Sequence, residues 1–163
     1  MIEVRDATEG DLAALLTIYN DAVVNTTAVY DYEPRGMEAE LKWFAAKRDQ
    51  NLPVLAAVQD GGVAGFASYG PFRPWPAYLH SVENSVYVAP DRRGMGIGAA
   101  LMGPLIERAR EGGYRTMLAG IDAGNAASKR LHARFGFVEV GVFREVGWKF
   151  ERWLDLVFMQ MML

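Results

Sequence analysis

The chain has 163 residues, of which 51% are hydrophobic and 23% charged, with a formal net charge of −3. That length supports one domain, residues 1–163, with a real core, and the acidic balance argues against a nucleic-acid partner, because such binders carry a basic surplus. The absence of cysteine removes disulfides, thiolate metal sites and a cysteine nucleophile together.

The N-terminus lacks the basic-then-apolar order of a signal peptide, and no apolar run approaches the roughly 18 residues of a spanning helix. A cytoplasmic protein with no membrane partner is expected. From there the elements follow in order. Ile2, Val4 and Ala7 alternate loosely and predict a first strand. Thr8 and Asp11 have capping-box spacing, and Leu12, Leu15, Leu16, Tyr19, Ala22 and Val23 then recur at helical intervals. Leu41, Phe44 and Ala45 predict a second, short helix whose other face carries Glu38, Glu40, Lys42, Lys47 and Arg48. Residues 53–59 and 63–70 read as strands joined by Asp60-Gly61-Gly62, a tight-hairpin signal.

A proline-aromatic loop, 71–78, precedes a strand over His80–Val88. A helix then runs to about Arg110, ended by Gly112-Gly113, although Pro104 lies inside it. Such a proline removes one backbone hydrogen bond at a cost of roughly 3 kcal/mol. A kink is expected rather than an ending, because Leu105, Ile106 and Ala109 continue the apolar pattern. Next come a strand over 115–121, a helix over Asn125–Phe135, a strand over 137–143 and a last strand over 152–163 whose apolar run suits a covered central position. The order is an antiparallel first half followed by strand–helix–strand–helix–strand, which predicts an α+β or mixed α/β fold around one sheet.

Between strand and helix stand Arg92, Arg93 and the glycines Gly94, Gly96 and Gly98. Glycines there let main-chain N–H groups approach a ligand, and the start of a helix leaves its first donors unpaired, so the segment predicts a phosphate or pyrophosphate site. Three anion-binding patterns compete for it. The dinucleotide fingerprint is met formally by Gly94, Gly96 and Ala99, but Ala89–Arg93 intervenes where the strand should turn straight into the first glycine. The nucleotide P-loop fails, since Pro104-Leu105 follows Gly103 where Lys-Ser/Thr is required. The third pattern, Arg/Gln-x-x-Gly-x-Gly/Ala, is met by Arg93, Gly94, Met95, Gly96, Ile97 and Gly98.

A second stretch accompanies it: Asn125, Ser128, Leu131, His132, Gly136 and Phe137. Its spacings put Asn125, Ser128 and His132 on one helical stripe beside an apolar stripe of Leu131 and Phe135. On these two stretches the sequence resembles the GCN5-related N-acetyltransferases over essentially its full length. Segments Ile18–Asp31, Val82–Val88 and Gly147–Gln160 are similar, more narrowly, to the phosphinothricin and methionine sulfoximine/sulfone N-acetyltransferases. The resemblance implies a splayed mixed sheet with helices on both faces and a homodimer. It also implies transfer of acetyl from acetyl-CoA to the α-amino group of a small amino-acid analogue.

Direct attack of an amine on a thioester needs no enzyme nucleophile, which suits a chain without cysteine. The α-ammonium must lose a proton first, and Glu83, on the strand leading to the loop, is the candidate base. His132 either donates to the departing thiolate or only lines the groove. The resemblance places the cofactor on Arg93–Ala99, Asn125 and Ser128, with its pantetheine arm against the backbone of Val86, Tyr87 and Val88. It places the acceptor near Arg73, Glu83 and Asn84, with Arg73 matching a carboxylate in two-point geometry and Phe72 and Trp75 offering an apolar wall. His80 has no partner pattern, and two histidines without spaced acidic partners make no metal site. Asn84 and Glu151 depart from the histidine and glycine that relatives often carry there, and Glu151 would oppose an anionic acceptor if it faced the pocket. Another small amine, a peptide N-terminus, and non-catalytic acyl-CoA binding remain open alternatives.

Overall fold

The structure, a computed structural model, describes residues 1–163. Seven strands form one sheet: β1 (Ile2–Asp6), β2 (Val54–Gln59), β3 (Gly62–Pro71), β4 (Ser81–Val88), β5 (Thr116–Asp122), β6 (Val138–Lys149) and β7 (Arg152–Met162), in the order β1-β2-β3-β4-β5-β7-β6. Every neighbouring pair is antiparallel except β4 with β5. The β2–β3 hairpin turns at Asp60 and Gly61, both at positive φ. Mixed pairing and the insertion of β7 between β5 and β6 give the mixed α/β arrangement that the sequence predicts, and β7 takes an interior position.

Helices α1 (Leu12–Asn25) and α2 (Met37–Asp49) cover one face, while α3 (Ile97–Glu111) and α4 (Ala126–Arg134) cover the other. The register assigns each strand residue to a face. Val82 pairs with Met117 and, with Ala67, Tyr69 and Ala119, packs under Leu101, Leu105 and Ile106 of α3. Phe66 pairs with Tyr87 and packs instead with Leu12, Leu15, Ile18 and Phe44 of α1 and α2. Burial of a large apolar side chain contributes about 1.5–3 kcal/mol, so these two clusters fix the sheet between its helices. At the start of α1, the Asp11 carboxylate accepts the Thr8 N–H at 2.8 Å and a two-point grip from Arg5 at 2.8 and 2.9 Å. The Arg5 contact holds its pKa well below the usual carboxylate range.

Two local expectations change in the fold. Glu40, assigned by periodicity to the solvated face of α2, is fully buried, and Leu41 is exposed. The cause lies outside the helix: Arg35 Nη1 donates to Glu40 at 2.7 Å while its guanidinium lies 4.1 Å over the Tyr19 ring, which drags the carboxylate inward. The other change is β6, which runs six residues beyond Phe143, to Lys149, across an irregularity where Arg144, Glu145 and Val146 face Asp155 alone. The Asp155 side chain accepts the Glu145 N–H at 2.7 Å and so supports Glu145 at φ 50°. Helix α3 continues through Pro104, which lies on its exposed side.

Candidate active site

The segment between β4 and α3 is built as its glycines require. Gly94 and Gly96 sit at φ 77° and 85°, where an L side chain is strained. Gly96 is the N-cap of α3, and the first helical hydrogen bond runs from the Ala100 N–H to its carbonyl at 3.0 Å. Helix geometry therefore leaves the amides of Ile97, Gly98 and Ala99 without helical partners, at the positive end of the helix dipole. Arg93 stands beside them, tied to Asp21 of α1 at 2.9 Å. Arg92 turns away to Asp60, also at 2.9 Å.

This loop opens into a groove of about 810 Å³. Its origin is a break in the sheet. Strands β4 and β5 pair only from Ser81–Glu83 to Thr116–Leu118, after which they part. From Asn84 to Val88, β4 keeps its bonds to β3 but has lost its partner on the other side, so its free backbone edge faces the opening. Such an edge accepts an amide-bearing arm as it would an added strand. Of the cofactor candidates, Val86, Tyr87, Val88, Arg93, Gly94, Gly96, Ile97, Gly98, Ala99, Asn125 and Ser128 all line this groove, while Met95 projects outward and is half exposed. Asn125 also caps α4, its side chain accepting the Ser128 N–H at 3.1 Å. Free amides for a diphosphate, an unpaired strand edge for the arm and one continuous groove fit acetyl-CoA. When bound, that molecule supplies the thioester carbonyl.

Glu83 lies where the two strands part, and it faces the side of the sheet opposite α3 and α4. Burial raises its pKa above the ordinary carboxylate value, against the lowering effects of Arg73 and the Gly120 N–H. Gly120 leaves room here: a Cβ on it would stand 3.0 Å from Glu83 Oε1, tight enough to press on the carboxylate, and 3.6 Å from the Phe158 ring. Phe158 packs edge-on against Phe72 at 6.0 Å and Phe143 at 5.8 Å, and the Arg73 guanidinium lies 5.0 Å over Phe72. The structure thus gathers a half-buried carboxylate, an exposed guanidinium and three phenylalanines. Trp75, expected in the same wall, is 63% exposed.

Asn84 is not brought to that side. It lies on the α3–α4 face, buried, with its amide 3.0 Å from His132 Nε2. His132 is buried as well, and its Nδ1 donates to the Ser128 carbonyl at 2.8 Å. Burial lowers the His132 pKa, and the bond to Ser128 raises it only in part. His80, in the turn before β4, lies outside the groove lining.

One wall was not legible in the sequence. Thr26, Thr27 and Ala28, between α1 and α2, line the groove. They are held by residues far along the chain: Lys149 Nζ donates to the carbonyls of Val23 and Val29, and Tyr30 Oη donates to Asp122 at 2.6 Å. The Tyr30 ring fits because residue 147 is glycine, where a Cβ would meet it at 2.7 Å. Phe150 and Arg152 line the groove from the β6–β7 turn, where Phe150 and Glu151 both have positive φ. Glu151 is exposed and outside the lining, and its conformation explains why glycine suits that position: an L residue there costs roughly 1–2 kcal/mol.

Residues 13–137 match the model of the acetyltransferase (GNAT) family. The chain is 49% identical over 161 residues to an L-methionine sulfoximine/L-methionine sulfone acetyltransferase of Pseudomonas paraeruginosa, covering 98% of this chain and 94% of that one. It is similar to a solved ribosomal-protein-alanine N-acetyltransferase of Brucella melitensis (52% identity, TM-score 0.97, 99% of both chains). A third similarity is to yncA of Salmonella typhimurium, solved with acetyl-CoA (41% identity, TM-score 0.98, 99% of this chain and 94% of that one). With the glycine loop, the parted strands and the capped α4 in these relations, the chain belongs to the GNAT acetyltransferase family.

Proposed function

We propose that this acetyltransferase moves acetyl from acetyl-CoA to the α-amino group of methionine sulfoximine, methionine sulfone or phosphinothricin, by direct attack of the amine on the thioester carbonyl. The observation that carries this acceptor class is the joint placement of Glu83 and Arg73 beside the phenylalanines where β4 and β5 part. A free amino acid presents an ammonium and a carboxylate a few bonds apart, and the site offers a base to one and a guanidinium to the other. Glu83 takes the proton of the α-ammonium, which leaves the nitrogen lone pair free. Its raised pKa brings it closer to the amine's, which favours that transfer. The new bond is C–N, the broken bond is C–S, the acylated nitrogen gives up its second proton to solvent, and coenzyme A leaves as a thiolate. The Phe72 and Phe158 rings, packed edge to face at 6.0 Å, flank the acceptor side chain.

The whole chain, 1–163, acts as one such domain in the cytoplasm, where acetyl-CoA is supplied. A homodimer accompanies this reading. Strand β6 ends the sheet with a long unpaired edge, and it exposes Val138, Val140, Val142, Phe143, Val146 and Trp148. An apolar edge of that length invites a partner. Sedimentation at micromolar concentration is expected to give twice the chain mass of 18.1 kDa; a single-chain mass would remove the dimer.

A second reading follows from the Brucella melitensis similarity: acetylation of a protein N-terminal alanine. Thiol release measured against the three analogues, the common free amino acids and an N-terminal alanine peptide separates the two. Turnover of an analogue above that of the peptide is expected, and the reverse order assigns the peptide. In the same assay Arg73→Ala is expected to raise KM for the analogue by about 10- to 100-fold, the worth of a charged hydrogen bond, with KM for acetyl-CoA unchanged. An unaltered analogue KM removes Arg73 from the site.

A further inference from the structure

We propose that Asn84 turns its side-chain nitrogen toward His132 and holds that ring neutral, protonated at Nδ1 only, so that the pair ties α4 to β4 instead of supplying a proton to the leaving thiolate. Three observations meet here. His132 Nδ1 lies 2.8 Å from the Ser128 carbonyl, and a carbonyl only accepts, so Nδ1 carries a hydrogen. The other ring nitrogen, Nε2, lies 3.0 Å from the Asn84 amide. With the amide oxygen on that side, Asn84 Nδ2 is buried without any acceptor. The ring would then also need a second hydrogen, at Nε2, and so a positive charge.

That charge would face only neutral acceptors, the Ser128 carbonyl and the amide oxygen, and no carboxylate. His132 is 3% exposed and Asn84 7%, and the neighbouring ring is Phe137, edge-on at 5.0 Å. An uncompensated buried charge costs several kcal/mol or more. A half-turn of the amide exchanges its two ends, which only their hydrogen-bond partners tell apart. It puts N–H opposite the Nε2 lone pair, removes the orphan donor and leaves the ring neutral. What remains unpaired is a side-chain oxygen, the less costly of the two orphans.

The tie's position gives it a task. Backbone pairing between β4 and β5 ends at Glu83 and Leu118. Asn84 is the next residue, and α4 follows β5 directly, so the Asn84–His132 bond bridges the two arms of the splay where the ladder stops. Asn84 is thereby a positioning residue: it fixes the strand that carries Glu83 relative to the helix that closes the groove. Both His132 nitrogens are occupied, and the thiolate takes its proton from solvent. This consequence rests on the acetyl-transfer reading above, whereas the protonation state of the ring does not.

The test is spectroscopic and needs no turnover. The chain has two histidines, His80 and His132, so protein labelled with 15N in histidine, alongside a His80→Gln sample, assigns both rings. In the unaltered protein at pH 7, two-bond 1H–15N correlations are expected to show His132 with a hydrogen on Nδ1 and a bare Nε2. A hydrogen on Nε2, in either the neutral or the charged ring, overturns the proposal. Asn84→Asp replaces the donor with an acceptor and is expected to put a hydrogen on Nε2 and raise the His132 pKa by more than one unit. A His132 spectrum unchanged by that substitution overturns the role given to Asn84. Failure of the acetylation assay leaves these spectra unaffected, so the two readings fail separately.

Discussion

Glu83→Gln is expected to lower kcat by roughly 10²–10⁴-fold, the range of a positioned general base, and to leave the fold at least as stable as before. The rate follows from the place of Glu83 as the proposed base, and the stability from its burial, which raises its pKa against the pull of Arg73 and the Gly120 N–H. The acid form is therefore favoured by folding, and the folded protein binds more protons than the unfolded chain between the two pKa values. Stability accordingly falls as pH rises through that window, and a neutral amide of the same shape avoids the penalty. Activity runs the other way. The ionised carboxylate is the base, so kcat/KM is expected to fall as pH drops through the raised Glu83 pKa, and this limb should vanish in Glu83→Gln. A rate within a few-fold of the parent, measured at saturating acetyl-CoA, removes Glu83 as the base. A large drop in melting temperature would mean instead that the carboxylate holds the fold.

Gly96→Val is expected to weaken acetyl-CoA binding by at least about 100-fold while the protein stays folded. At φ 85° a β-branched residue is strained, and the left-handed conformation costs roughly 1–2 kcal/mol. That lies within the 5–15 kcal/mol of a typical domain. No protein atom lies within 4 Å of the Cβ that would be added, so packing is not what the substitution disturbs. What it disturbs is the direction of the amides at Ile97, Gly98 and Ala99. Each hydrogen bond to a charged group is worth about 1.5–3 kcal/mol, and misdirecting two of them exceeds the 2.7 kcal/mol of a 100-fold change. Calorimetry with acetyl-CoA measures the affinity, and a thermal melt of the same sample checks the fold. Normal affinity in a folded variant would show that the loop does not grip the diphosphate.

Much of the molecule was legible in the chain because its signals are local. The hairpin at Asp60-Gly61-Gly62, the α1 start at Thr8 and Asp11, and the continuation of α3 through Pro104 depend on residues within a turn of one another. The same holds for the glycine loop and for Asn125, Ser128 and His132 on one stripe of α4, since both are set by spacing along a single element. The backbone conformation at Gly94 and Gly96 is the one that only glycine adopts without strain.

The rest depends on which strands become neighbours, and hydrophobic periodicity does not encode that choice. Alternation along β4 separates Glu83 from Asn84, but only the pairing with β3 and β5 decides that one faces Phe158 and the other His132. The burial of Glu40 was hidden for a similar reason: its partner, Arg35, lies before the helix, and the ring over which Arg35 stacks belongs to α1. The groove wall at Thr26–Ala28 needs Lys149 and Gly147, more than a hundred residues away, to hold it down. The sequence by itself determined the anion loop and the helix that flanks it, because short-range backbone geometry and side-chain type suffice for those, and its two motif stretches carried the resemblance that implied the class of chemistry. The direction of each polar side chain and the parting of β4 from β5 were decided by tertiary structure, because they follow from long-range packing, in which a residue's partner is set by the whole sheet.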